Sequence, residues 1–299
     1  MPIEVKVNIA STTSVGNSGL ATNAIDVAFE TSQTGNPTIY TLNWTFVGSG
    51  AAMQRARNGL AEIVLTHDRI NELIFKDVEK YALSRKWVFY NYFIFVGPRV
   101  GGTITGTTLE DCFIAVKNTS SSSQIFVSRG PDGLAGTYVR EMQIWKQLGL
   151  SAQPGSVYSP ANDPGMLGTL NYASANGKYT LTDIGTWYAY LDQNGGSANA
   201  PLMALTSKFG GANEDKWASN QYVLMPINPD ADGLTLDPDA VAGADFFLKW
   251  MIGYVAGNPT AASVVNGYKP DGTNQGFFYN ADQAEKFPLD GTLIQPIQR

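Results

Sequence analysis

The feature that most constrains the fold of this chain is a set of three hydroxyl-rich turns. Each turn follows a predicted strand and lies where a helix should begin. They read STTSVGNSG at 11–19, FVSRGPDGLAGT at 126–137 and YTLTDIGT at 179–186. Strands that alternate with helices in this way predict an α/β fold with a parallel sheet. Because Ser and Thr hydroxyls and the free N–H groups of a starting helix are all donors, such turns indicate anion binding.

The strand–helix alternation continues over most of the chain, and its length of 299 residues favours two lobes. We expect lobe 1 at 1–97 plus 227–299 and lobe 2 at 98–226, and a long loop or insertion at 193–216. Strands are predicted at 3–10, 38–47, 63–67, 88–98 and 221–229. The main helices of the first half are predicted at 19–34, 48–63 and 70–86. In the second half we predict a helix and then a polar loop within 108–124, a helix from 137 that Gly149 ends, a helix from 166 that stops at an Asn-Gly pair, a strand and a helix within 179–193, and a helix at 236–253.

Composition excludes several classes of function. The net charge of -6 and the pI of about 4.8 argue against nucleic acid and against anionic membranes as partners. Cys112 is the single cysteine, so no intrachain disulfide forms, and His67 is the single histidine, so a zinc site is not expected. No apolar stretch approaches the eighteen or so residues that a membrane crossing needs, so we expect no membrane insertion.

Hydroxyl residues of the first half supply the first candidate ligands. Ser11, Thr12, Thr13 and Ser14 form a run at a strand-to-helix junction, where they could donate to an anion or simply cap the helix. Four consecutive hydroxyls are more than capping needs. Ser49 lies between two glycines that permit close approach of a ligand to the backbone, and a plain flexible turn is the alternative.

Arg129 is the candidate for the positive group. It follows a predicted buried strand, and its planar guanidinium suits an oxyanion, while a surface ion pair is the alternative. Thr137 follows Gly136 at the start of the next predicted helix and can act as a cap and a donor.

Other polar residues favour structural roles. His67 and Asp68 could be a catalytic pair, but no nucleophile motif accompanies them, so we expect Asp68 to cap a helix and His67 to serve at most indirectly. Thr182 and Asp183 resemble a strand end followed by a capping residue.

Taken together, several segments resemble the tungstate-binding component of ABC importers, which has the type II periplasmic-binding-protein fold and is related to molybdate and phosphate binders. The matching segments keep the order of that family and cover most of 8–190. They are STTSVGNSGL, GSGAAMQRARNGLAEIVLTHDR, YNYFIFVGP, FVSRG with GTYVREMQIWK, and GKYTLTDIGTWYAY.

This resemblance implies an α/β, two-lobe fold with an oxyanion in the cleft between the lobes. Carried over by position, it implies the following ligand donors: Thr12, Thr13, Ser14, Ser49, Arg129 and Thr137. It further implies an ABC permease as partner, no cofactor, and tungsten or molybdenum held as the oxyanion without direct side-chain ligands. We expect a monomer without enzymatic activity.

The sequence also departs from the family pattern. Ser11 stands where the family usually has Thr, and PDGLAGT follows Arg129 where a shorter acidic Asp-x-SGTH form is usual. Ala135 replaces the Ser of that form and Tyr138 replaces its His. These changes affect which anion is bound more than they affect the fold.

The identity of the anion and the location of the protein stay open. A bare dianion such as tungstate, molybdate or sulfate needs only donors, whereas hydrogen phosphate also wants an acceptor, for which Asp132 and then Asp68 are candidates. The start MPIEVKVNIAS lacks a leader, so the protein is extracytoplasmic if one was removed and otherwise intracellular. An intracellular anion sensor and an enzyme that uses the cleft are the alternative functions.

Overall fold

The chain of this computed structural model divides into two compact units. The residues described are 2–119, 125–131, 135–149, 156–157, 165–206, 218–253, 260–268 and 279–280. Unit 1 comprises Met1–Tyr90 and Gln221–Arg299, and unit 2 comprises Asn91–Asn220. The boundaries expected from the sequence, 97/98 and 226/227, lie several residues later along the same two crossing strands.

Unit 1 holds a sheet of mixed direction with helices packed against it. Its strands are β1 (Ile3–Thr12), β2 (Thr38–Val47), β3 (Ile63–Thr66), the first part of β4 (Lys86–Pro98), most of β9 (Ser219–Pro226), and β10 (Tyr279–Asn280). Its α-helices are α1 (Thr13–Asn17), α2 (Asp26–Ser32), α3 (Ser49–Arg57), α4 (Arg69–Leu73), α9 (Pro238–Met251) and α10 (Ala261–Gly267). Single π-helical turns cover Ala21–Ile25 and Ile74–Val78.

Parallel pairing brings the carboxyl ends of the first three strands to one edge of the unit 1 sheet. Strand β1 pairs in parallel with β2, where Thr12 lies opposite Val47, and with β3, where Ser11 lies opposite Leu65. Strand β9 pairs with β3 in antiparallel fashion. An aromatic cluster, with Phe29 and Phe247 at 5.0 Å between ring centroids, contributes to the core behind the sheet.

Unit 2 is built on the second part of β4 and a shorter set of strands. Its other strands are β5 (Phe126–Ser128), β6 (Ser156–Val157), β7 (Tyr179–Asp183) and β8 (Leu202–Ala204). Its helices of two turns or more are α5 (Leu109–Asn118), α6 (Gly136–Gln147), α7 (Met166–Ala175) and α8 (Ile184–Gln193). Strand β5 runs parallel to β6 and β7, whereas β4 pairs in antiparallel fashion with β7 and β8.

The core of unit 2 fixes α6 against α5 and β5. The rings of Phe113 on α5 and Trp145 on α6 lie 4.5 Å apart in an edge-to-face arrangement, and Phe126 of β5 contacts both. This packing holds the carboxyl-terminal half of α6 against α5 and β5.

Two predicted segments differ from the structure. The helix predicted over 70–86 ends as an α-helix at Leu73 and passes through a π-turn to Val78, after which Ala82 forms an isolated β-bridge with Ile227. The segment 193–216, expected to be a loop or insertion, contains β8, and its residues 207–216 lie outside the described part. Within the described ranges, none of the helices is both long and apolar enough to traverse a membrane.

Candidate functional site

Three hydroxyls of unit 1 gather at the carboxyl edge of its parallel strands. Ser11 and Thr12 are the last residues of β1, and Ser49 begins α3 directly after the Gly48 that follows β2. Because Thr12 pairs with Val47, Ser49 lies two residues beyond the position opposite Thr12 on the neighbouring strand. The carboxyl end of parallel strands is where open α/β sheets bind their ligands.

These three hydroxyls are buried and unpaired. Ser11, Thr12 and Ser49 are 0%, 2% and 0% exposed, and in the described part of the chain Ser11 Oγ, Thr12 Oγ1 and Ser49 Oγ have no hydrogen-bond partner. A buried polar group without a hydrogen-bond partner lowers stability by about 1–3 kcal/mol. A bound ligand that accepts hydrogen bonds from the three hydroxyls would remove this loss.

The capping alternative does not account for these hydroxyls. Thr12 is the N-cap of α1, yet its side chain makes no capping hydrogen bond, and the N-cap of α3 is Gly48. Thr13 and Ser14 open α1, where Thr13 is half-buried and Ser14 is buried. The structure therefore brings the expected hydroxyl donors of unit 1 to one edge and leaves three of them unsatisfied.

The candidate charged donor lies in a buried turn of unit 2. Arg129 directly follows β5 and is only 7% exposed, so it does not lie on the solvent-exposed surface. Gly130 has a φ of 78°, a left-handed conformation that favours glycine. Thr137 is buried in the first turn of α6, whose N-cap Ala135 offers no side-chain cap. Asp132 lies outside the described residues.

A buried carboxylate supports this turn. Glu141 on α6 accepts hydrogen bonds from Ser128 Oγ at 2.8 Å and from Trp145 Nε1 at 3.2 Å, and the backbone N–H of Arg129 also donates to it. Burial raises the pKa of Glu141 to about 7, and the hydrogen bonds oppose that rise. Sequence reasoning missed Glu141, although its spacing of four from Thr137 and from Trp145 places it on the buried face of α6.

A similar arrangement supports the end of β3 in unit 1. Glu72 is fully buried and accepts from Thr66 Oγ1 at 2.9 Å and from the backbone N–H of Asp68 at 2.8 Å. Arg85 forms an ion pair with Glu72 at 2.7 Å. Burial raises the pKa of Glu72, and the guanidinium of Arg85 opposes this. Neither Glu72 nor Arg85 was a candidate in the sequence.

Asp68 caps a helix, as expected, and the described contacts of His67 and Tyr138 are with neighbouring side chains. Asp68 caps α4 by accepting from the N–H of Asn71 at 3.3 Å, and it also accepts from the Asn71 side chain. The ring of His67 stacks on Tyr222 at 5.0 Å. Tyr138 is half-buried beside Glu141, and burial together with the charge of Glu141 raises its pKa.

Asp183 caps α8 at the end of β7, as expected. Its carboxylate accepts from Thr186 N at 3.1 Å and from Thr186 Oγ1 at 2.6 Å. Asn91 also donates to Asp183, and Asn220 donates to Asn91 at 2.7 Å. Thr182 is buried beside Asp183 in β7. In the described ranges, no three His, Cys, Asp or Glu side chains cluster in a way that could hold a metal ion.

Comparison with known proteins decides the family. The family model described as the PBP superfamily domain matches residues 6–253. The chain belongs to the PBP superfamily. This membership confirms the predicted α/β binding-protein fold.

Relatives within the PBP superfamily include anion binders. The chain is 30% identical over 278 residues, 92% of its length and 72% of the relative's, to a protein of Haloferax volcanii whose name assigns it to ABC transporters as an anion-binding protein. It is 31% identical over 207 residues to the tungstate-binding protein TupA of Peptoclostridium acidaminophilum, a match that covers 69% of this chain and 65% of the relative. The chain thus spans slightly less than two thirds of that second relative.

A solved structure agrees with these relatives. The tungstate-binding protein TupA of Desulfovibrio alaskensis G20 is 27% identical, with a TM-score of 0.66 and with 94% of this chain and 99% of that chain covered. The resemblance to tungstate-binding proteins that the sequence motifs indicated is therefore confirmed.

Proposed function

We propose that this protein captures a tetrahedral oxyanion, tungstate or molybdate, as the solute-binding component of an ABC importer. The observation that carries the proposal is the set of three buried, unpaired hydroxyls of Ser11, Thr12 and Ser49 at one sheet edge. The anion-binding and tungstate-binding relatives support the same class of ligand.

The chemistry of the donors favours a bare dianion. Hydroxyl groups donate to the oxygens of tungstate or molybdate, and neither anion needs an acceptor at neutral pH. Asp68, one of two candidate acceptors for a protonated phosphate, already accepts hydrogen bonds from Asn71 on both carboxylate oxygens. Thr13 and Ser14 belong to the proposed donor set of unit 1, and Arg129 and Thr137 are the proposed donors of unit 2. In this proposal the anion is cargo and no cofactor is required.

The proposal assigns binding and transport, rather than catalysis, to the protein. A permease of an ABC importer is the partner that this role requires, and the place of action is outside the cytoplasmic membrane. An intracellular anion sensor would share the anion affinity, so stimulation of uptake by a reconstituted permease distinguishes the two roles.

The first test is titration calorimetry with tungstate, molybdate, sulfate and phosphate on anion-free protein. We expect tight binding of tungstate or molybdate. Each of Thr12→Val and Ser49→Ala should weaken it about 10- to 150-fold, which corresponds to the 1.5–3 kcal/mol of a hydrogen bond to a charged group. Arg129→Ala should remove most of the affinity. Failure of all four anions to bind would refute the proposal.

The unliganded variants provide a second readout. Because the hydroxyls of Thr12 and Ser49 are buried without partners, Thr12→Val and Ser49→Ala should leave the free energy of unfolding of the anion-free protein unchanged or higher. Thr169→Val is the matched control, since Thr169 is equally buried but its Oγ1 donates to Gly165 O at 3.1 Å. It should lower stability by about 1 kcal/mol and leave the affinity unchanged.

A further inference from the structure

The carboxylate of Glu141 is the acceptor on which the turn after β5 is organised. Glu141 is 1% exposed, and its two oxygens accept from Ser128 and Trp145, with the backbone N–H of Arg129 as a third donor. Ser128 Oγ in turn accepts from the N–H of Gly130 at 3.1 Å. A continuous chain of hydrogen bonds therefore runs from Gly130 through Ser128 to Glu141 and spans Arg129.

Within the described residues, burial and three hydrogen bonds set the pKa of Glu141, and the charge of the neighbouring Arg129 is not among its causes. Arg140, on the same helix, donates to Ser219 O at 2.9 Å and lies over the ring of Phe93. Lys146 is exposed at the far end of α6, and Tyr138 is the titratable neighbour whose own pKa is raised by the charge of Glu141.

The elements that pack on α6 supply no counter-ion either. Asp183 of β7 is itself acidic and caps α8, and the Tyr179 hydroxyl accepts from the N–H groups of Thr103 and Ile104. The titratable residues of α5 are Glu110, Asp111, Cys112 and Lys117, of which Asp111 is bound in the capping box of its own helix and Lys117 is exposed. Burial raises the pKa of Glu141 to about 7, which is close to neutral pH.

We propose that Glu141 is the positioning residue of the Ser128–Gly130 turn and that it takes up one proton when the oxyanion binds. A dianion held at this turn repels the negative charge of the carboxylate, so the neutral acid is favoured in the bound state. The proton comes from solvent and bonds to a carboxylate oxygen of Glu141, from which it can be donated to Ser128 Oγ. This inference rests on the proposed function, because it concerns the same anion.

The test measures molybdate affinity and proton uptake between pH 6.5 and 8.5. Calorimetry in buffers of different ionisation enthalpy counts the protons taken up on binding. For a group that titrates near pH 7 when free and stays protonated when bound, affinity should fall about 25-fold over this range. Uptake should approach one proton at the high end.

Variants separate positioning from simple support of the fold. Glu141→Gln keeps an acceptor for Trp145 and a donor toward Ser128, as the neutral acid does, so molybdate affinity should become independent of pH and proton uptake should vanish. The matched control is Glu62→Gln, because Glu62 is also buried, with a raised pKa, but accepts from Asn8 at the opposite end of β3. It should keep the wild-type pH profile.

The outcomes discriminate this inference from the function on which it rests. Tight molybdate binding with a flat pH profile and no proton uptake in the wild-type protein would overturn the role of Glu141 and leave the proposed function intact. Absence of any oxyanion binding would overturn both. The proton count needs no variant, so the inference remains falsifiable if Glu141→Gln does not fold.

Discussion

The turns after β3 in unit 1 and after β5 in unit 2 are supported in nearly the same way. In each, the hydroxyl of the last strand residue, Thr66 or Ser128, donates to a buried glutamate on the helix that follows. A backbone N–H just beyond the strand donates to the same carboxylate, Glu72 in the first case and Glu141 in the second. The two glutamates thus perform the same structural task.

The two sites differ in their electrostatics. Glu72 has a counter-ion, because Arg85 donates to it through Nε at 2.9 Å and lies within ion-pair distance through Nη2. Glu141 has no such cation within the described ranges, and its pKa of about 7 lies well above its ordinary value. Burial raises the pKa of both carboxyls, but in unit 1 the guanidinium of Arg85 opposes that rise, whereas in unit 2 only hydrogen bonds oppose it.

Replacement of Arg85 should leave Glu72 without a cation, which is the situation of Glu141 in unit 2. We expect this substitution to lower stability more than the other substitutions discussed below. Arg85→Met leaves the carboxylate of Glu72 buried without a cation, which typically costs about 3–5 kcal/mol. Because protonation of Glu72 relieves that cost, the loss should be smaller at pH 5 than at pH 8. Urea unfolding of the variant and the wild-type protein at both values measures the difference.

An exposed ion pair serves as the control for this substitution. Lys249 and Asp245 pair on the surface of α9 with about half of each side chain exposed, so Lys249→Met should change stability by less than about 1 kcal/mol at either pH. An equal loss at pH 5 and pH 8 for Arg85→Met would contradict the contrast between the two glutamates.

Much of the fold could be predicted because it follows from local patterns. The β-branched and aromatic run of β2 and the alternation in β1 indicate strands, and Asp237 before Pro238 marks the start of α9. Strand β8 was missed because its three residues form a strand only through pairing with β4. The helix over 70–86 was overextended since amphipathic spacing alone does not show where the backbone leaves helical geometry.

In the candidate site, too, some features could be predicted from the sequence and others could not. Thr12, Ser49 and Arg129 are recognisable from residue type and position at a strand end, and they remain predicted ligands. That the hydroxyls of Thr12 and Ser49 are unpaired could not be predicted, because it depends on what surrounds each side chain in three dimensions. The pairing of Glu72 with Arg85, thirteen positions later, has no signal of helical or strand spacing.

Removal of the titrating group should flatten the pH dependence of unit 2 stability. The pKa of Glu141 in the folded protein, about 7, exceeds its ordinary value of 4.5, so this group's contribution is fully present below pH 4.5 and is lost as pH rises through 7. Between pH 5 and pH 8 that loss amounts to roughly 2–3 kcal/mol, and it should be absent in Glu141→Gln. Urea unfolding of both proteins across this range tests it. Parallel curves would show that Glu141 does not titrate in the folded state.

The smallest effects should come from the hydroxyls that donate to the two glutamates. Thr66→Val and Ser128→Ala each remove one buried hydrogen bond, and each should cost about 1–2 kcal/mol. Since its hydrogen bond with Ser128 lowers the pKa of Glu141, the Ser128→Ala loss should be larger at pH 8 than at pH 5. Arg85 still stabilises ionised Glu72, so the Thr66→Val loss should vary less with pH.

Thr31→Val controls for the removal of a threonine hydroxyl as such, because Thr31 is exposed and its hydroxyl bonds only to Val27 O of its own helix. Its effect should stay within about 0.5 kcal/mol at both pH values. A greater pH dependence in Thr66→Val than in Ser128→Ala would contradict this contrast, since it would show that the protonation of Glu72 changes more than that of Glu141 between pH 5 and pH 8.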